Sequence, residues 1–134
     1  MKYRYSDRCA PDAPFILVTL RQPGGTLVTG ELPAQIDCGA DRSVIPLELA
    51  EALQLPPVSR VVVAGLGGHT RTLAVYHVEI RSNGLPNVVA NVAATDEPHV
   101  LLGRDYLAPF RVTLDGPTQS VSIEWPPATE GTAP

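Results

Sequence analysis

Short apolar, β-branched runs, broken by Gly and Pro signals every ten residues or so, constrain this chain more than any other feature. The 134 residues include 14 Pro and 11 Gly. Long helices cannot survive that punctuation, but short strands joined by turns can. Residues 15–20 (Phe-Ile-Leu-Val-Thr-Leu) read as a strand, and Gln22-Pro23-Gly24-Gly25 as a turn. Residues 26–30 read as the return strand of a hairpin. Residues 34–36 and 43–45 are apolar enough for two more strands. Residues 58–80 hold two β-rich arms, 60–63 and 73–80, around Gly65-Leu66-Gly67-Gly68. Residues 88–94, the apolar run from His99 into Gly103, and the pair 110–114 and 120–123 complete the set.

Helices are minor. Residues 47–55 (Leu-Glu-Leu-Ala-Glu-Ala-Leu-Gln-Leu) use strong helix formers, with Leu49, Ala52 and Leu53 on one face. Pro46 suits the first turn, and Pro56-Pro57 ends it. A second short helix is predicted over 104–108, before Pro109. The pattern predicts one all-β domain that curls on itself, over 13–125. Residues 1–12 read as a flexible, charged N-terminal tail, and 126–134, rich in Pro, as a disordered one.

Charge and cysteine content exclude several functions. The net charge is −4, which opposes nucleic acid or an anionic membrane as partner. No apolar stretch is long enough to span a bilayer, and the first residues lack the apolar core of a signal peptide. A cytoplasmic location is the expectation. Cys9 and Cys38 make neither a disulfide framework nor a zinc site, and His69, His77 and His99 lack ligand spacing. Neither metal nor cofactor is expected. The Gly65–68 tip lacks the Lys and Ser/Thr of a phosphate-binding loop, so a hairpin tip is the better reading.

One stretch carries chemistry. An apolar approach, Ala34-Gln35-Ile36, delivers Asp37 onto the turn Cys38-Gly39-Ala40-Asp41. Gly39 permits a tight turn, and Ala40 keeps the space before the carboxylate clear. A carboxylate held by backbone suits a catalytic acid or base. Alone, Asp-x-Gly is equally the end of an ordinary strand, because Asp and Gly dominate turns.

The order of three features narrows this. The Asp37-Cys38-Gly39-Ala40-Asp41 turn, the Gly-rich hairpin, and Leu101-Leu102-Gly103-Arg104-Asp105 before a short helix together resemble the retropepsin-like aspartic proteases. The resemblance runs from about Phe15 to Ile123. It implies a closed, mostly antiparallel β barrel with one or two short helices, working as a symmetric homodimer on extended peptides. It implies Asp37 as the catalytic residue, one from each chain. Gly39, Ala40 and Asp41, with Gly65, Leu66, Gly67 and Gly68 as the flap, are implied to bind substrate. Arg104 and Asp41 are implied to form a supporting ion pair near the dimer interface.

One position departs from the family. Cys38 stands where Thr or Ser usually follows the catalytic Asp. A thiol is the weaker hydrogen-bonding group, and two symmetry-related bonds would lose roughly 1 kcal/mol each. Three outcomes stay open: other contacts hold the dimer, the dimer is weak or inactive, or two Cys38 thiols form a disulfide across the axis. The alternative to a homodimeric endopeptidase is therefore a catalytically silent dimeric module that binds peptides or a partner protein.

Overall fold

The computed structural model describes residues 1–125. Ten strands and two helices follow one another as β1 (Lys2–Arg4), β2 (Phe15–Arg21), β3 (Leu32–Ile36), β4 (Val44–Pro46), α1 (Leu47–Ala52), β5 (Pro57–Ala64), β6 (Thr70–Arg81), β7 (Val88–Thr95), β8 (Val100–Leu102), α2 (Arg104–Leu107), β9 (Arg111–Asp115) and β10 (Ser120–Glu124).

Seven strands form one sheet in the order β2-β3-β8-β4-β7-β6-β5. The 12 residues of β6 let it serve several neighbours. It pairs with β5 and β7, and its end reaches β2 through Thr19↔Arg81 and Leu20↔Ile80. That last pairing brings the sheet round on itself. The fold is all-β, as the punctuation predicts. Two pairings, β3 with β8 and β4 with β7, are parallel. They matter most for the site, because they lay segments far apart in sequence side by side. A second sheet, β1-β10-β9, is antiparallel throughout.

Alternation places the core. Ile16, Val18 and Leu20 point inward from β2 and are at most 1% exposed, while Leu17 between them points out. Val78, Ile80, Val92, Val100 and Leu102 join them from the other strands, and Tyr106 of α2 and Val121 and Ile123 of β10 belong to the same core.

Three expectations need correction. Residues 26–30 are not a return strand. Their pairing with β2 is one isolated bridge, Arg21↔Val28, plus two hydrogen bonds between Thr29 and Leu20. β2 instead takes β3 and β6 as neighbours, which bury it more fully. The first helix stops at Ala52 rather than 55, because Gln54 turns left-handed at φ 54°. The N-terminal segment is not wholly a tail. Lys2–Arg4 pairs along β10, Met1 exchanges hydrogen bonds with Ile123, and Tyr3 and Tyr5 pack on the core. Pairing satisfies a β10 edge that would otherwise be bare. The expected C-terminal tail, 126–134, lies outside the described residues.

Candidate active site

Asp37 leaves the end of β3, where parallel pairing with β8 sets Ile36 beside Leu102. Its N–H donates to the Leu102 carbonyl at 2.9 Å, extending the ladder by one bond. The chain then turns. Ala40 N–H donates to the Asp37 carbonyl at 3.2 Å, and Gly39 N–H donates to Asp37 Oδ1 at 3.0 Å. A side chain at position 39 would put its Cβ 3.3 Å from that oxygen. Gly39 therefore lets its own N–H hold the carboxylate at close range. Asp37 is half-buried, and Cys38 and Gly39 are exposed.

The first turn of α2 holds the other side of this loop. Arg104 grips it twice, with its main-chain N–H on the Ala40 carbonyl and Nη1 on the Cys38 carbonyl, both at 2.8 Å. Gly103 sits so close that an added Cβ would lie 2.8 Å from the Arg42 carbonyl carbon and 2.9 Å from Ala40 O. Ser43, fully buried, finishes the attachment. Its Oγ donates to Asp105 Oδ1 at 2.6 Å and accepts Gly103 N–H at 2.9 Å. Its own N–H donates to both Asp105 oxygens at 3.0 Å. Asp105 Oδ1 also accepts Tyr106 N–H at 2.8 Å. Residues 37–43 are thus wrapped around Gly103, Arg104 and Asp105.

The implied Arg104–Asp41 ion pair is not made in this chain. Among the described residues the ion pairs are Arg21–Glu79 and Arg71–Asp96. Asp41 is exposed, and the Arg104 guanidinium donates to the Cys38 carbonyl instead. Asp41 instead lines a surface groove of about 440 Å³ with Arg42, His77, Asn91 and Asp105. Arg42 Nη1 reaches the Asn91 carbonyl there at 3.1 Å.

The Gly-rich segment is the tip of the β5–β6 hairpin. Ala64 pairs with Thr70, and Gly65 N–H donates to the His69 carbonyl at 2.8 Å. Between them Leu66–Gly68 forms a 3-10 turn. Gly67 and Gly68 adopt φ 80° and 78°, a region that glycine enters at little cost. The arms stand largely clear of the chain, with Val62 65% exposed.

Sequence reasoning missed Ser43 and Asp105. The signal was faint: a Ser opening a strand, and the third residue of Gly-Arg-Asp. Cys9 and Cys38 are free thiols. Among the described residues no group of His, Cys, Asp and Glu has the arrangement to hold a metal ion, and no helix is long and apolar enough to cross a membrane.

The chain thus presents one carboxylate on a turn that backbone bonds fix from both sides. The aspartyl protease family model matches residues 24–106, which include both halves of this arrangement. The chain belongs to the aspartyl protease family. No curated protein matches it in sequence. Among solved structures it is similar to a retropepsin-like aspartic protease from Rickettsia conorii, with TM-score 0.59, 14% identity, and 90% of this chain covering 88% of that one. It is similar to the EIAV protease complexed with the inhibitor HBY-793, with TM-score 0.56, 22% identity, and coverage of 79% and 92%. The protease of Simian Foamy Virus (mac) follows, with TM-score 0.54, 19% identity, and coverage of 70% and 91%. At such identities the likeness shows the fold, which is that of the retropepsins.

Proposed function

We propose that this aspartyl protease family member is a homodimeric endopeptidase, in which Asp37 of each of two chains activates one water between them. The carrying observation is the Asp37 carboxylate itself. Gly39 N–H holds it, on a loop tied to α2 through Cys38, Ala40 and Ser43. One chain supplies one such carboxylate, and general acid–base hydrolysis of an amide needs an acid and a base.

Two carboxylates brought together cannot both ionise cheaply, so they share a proton. The ionised one takes a proton from the water as it attacks the peptide carbonyl carbon. The protonated one donates to the carbonyl oxygen, giving a tetrahedral diol. Collapse returns a proton to the leaving amine. The pair titrates as a unit. Gly39, Ala40 and Asp41 form the floor on which an extended peptide lies as an added strand. The tip formed by Gly65, Leu66, Gly67 and Gly68 closes over it and excludes water. The domain takes in β1 together with 13–125 in this reading, and the chain's two free thiols, Cys9 and Cys38, fit a reducing compartment such as the cytoplasm.

Digestion of an unstructured peptide library tests this, across about pH 3 to 8, so that mildly acidic and neutral conditions are both sampled. Cleavage is expected, with a loss of roughly 10²–10⁴-fold or more in Asp37→Asn. Undiminished cleavage by Asp37→Asn refutes the assignment. So does peptide binding without turnover by a proven dimer.

A further inference from the structure

Asp37 shares its side of the sheet with other polar groups. Ala34, Ile36, Val100 and Leu102 are buried in the core. Side chains alternate along a strand, so Gln35 and Asp37 face the other way, with Leu101 beside Gln35 on β8. All three are half-buried. Gln35 lies about 7 Å before Asp37 at the usual strand rise. His99, two residues before Leu101, comes to the same side, and its Nε2 lies 3.0 Å from Gln35 Oε1. A peptide cut at Asp37 would lay a side chain next to the cut on this ground.

The pair is polar and held in place. An amide oxygen only accepts, so His99 Nε2 carries the hydrogen and donates. The His99 ring also sits edge-on to Phe15, with centroids 5.2 Å apart and planes at 65°. Phe15 is buried, and it is the register partner of Gln35 on β2. Gln35 Nε2 keeps two hydrogens that no group takes among the described residues. An apolar side chain laid here strips water from those donors and returns nothing, which is costly. A side-chain oxygen replaces the water. A carboxylate would also accept, but an ionised Asp37 nearby repels it.

We propose that Gln35 and His99 select the substrate, favouring an uncharged polar side chain (Asn, Gln, Ser or Thr) next to the scissile bond over Leu or Phe. This rests on the endopeptidase reading above, in which the two-fold repeats the pair on both sides of the cut. The competing outcome is apolar. His99 also borders a recess of about 190 Å³ lined by Leu32, Pro33, Pro46, Leu49 and Pro98, which suits Leu or Phe.

A peptide library varied at the two residues flanking the cut tests this. The wild type should cleave polar-flanked peptides about ten- to hundredfold better in kcat/KM than Leu- or Phe-flanked ones. Gln35→Leu should erase that preference, and Gln35→Leu combined with His99→Leu should reverse it. Thermal melts beside the digests separate selection from structure. Variants that melt lower but keep the polar preference reduce the pair to a clamp between β3 and β8, and overturn the proposal. So does a wild type that prefers Leu or Phe. If nothing is cut, binding of the same peptides to the wild type decides. Polar-selective binding that Gln35→Leu abolishes upholds the pair while sinking the endopeptidase reading. Binding without that selectivity, or no binding, overturns the pair as well.

Discussion

Ser43→Ala removes a single oxygen, and the structure sets what that should cost. The hydroxyl is fully buried and serves two partners, donating to Asp105 at 2.6 Å and accepting Gly103 N–H at 2.9 Å. A hydrogen bond to a charged acceptor contributes about 1.5–3 kcal/mol, and an orphaned buried N–H costs about 1–3 kcal/mol. The two effects share one atom and do not add in full. A loss of about 3 kcal/mol follows, against a total of about 5–15 kcal/mol for a domain. With roughly 2.1 cal/mol/K of unfolding entropy per residue, the melting temperature should fall by about 10 °C. Ser82→Ala is the internal control. Ser82 is equally buried, but its Oγ donates only to the neutral Leu17 carbonyl at 3.0 Å, a bond of about 1 kcal/mol. Urea and thermal melts at fixed protein concentration read both variants. If Ser43→Ala costs no more than Ser82→Ala, the claim that this hydroxyl binds the Asp37 loop to α2 is wrong.

Gly103→Ala forces a methyl against backbone of Ala40 and Arg42, which have no flexible end to move aside. It should cost about 1–3 kcal/mol and lower peptide cleavage by displacing the loop; unchanged melts and unchanged digestion would contradict this. Tyr106 has a buried hydroxyl with no hydrogen-bond partner among the described residues, and burial, helped by nearby Tyr3, pushes its pKa well above the ordinary 10.0. Its neutral form is therefore favoured in the folded state. The associated stability is intact below about pH 10 and declines as the pH rises beyond it, because the unfolded chain ionises first. Tyr106→Phe should leave stability at pH 8 equal or slightly higher and flatten the alkaline decline, as melts at pH 8 and 11 would show.

How much of this was legible beforehand depended on distance along the chain. The approach to Asp37, the Gly-rich tip and the hairpin β9–β10 are local patterns, and each lies where its sequence points. The attachments of the Asp37 loop were harder to read. Ser43 and Asp105 look like a strand opening and a helix start, and only the long-range pairing of β8 with both β3 and β4 puts them together. Arg104 carries a charge that invites a carboxylate, but backbone proximity gives it the Cys38 carbonyl instead. β1 is only Lys-Tyr-Arg, too short for its alternation to stand out, and what makes it a strand is the edge of β10 beside it. The segment 26–30 misled in the opposite sense. Its composition suits a strand, yet β2 had better neighbours elsewhere.

The wrapping of residues 37–43 around Gly103–Asp105 has a consequence in time. Sixty-odd residues separate the two parts, and each is held in place by hydrogen bonds to the other. A ribosome must deliver nearly the whole barrel before the acid acquires its fixed bearing. Until then the nascent polypeptide carries the Asp37 carboxylate without the contacts that hold its loop against α2.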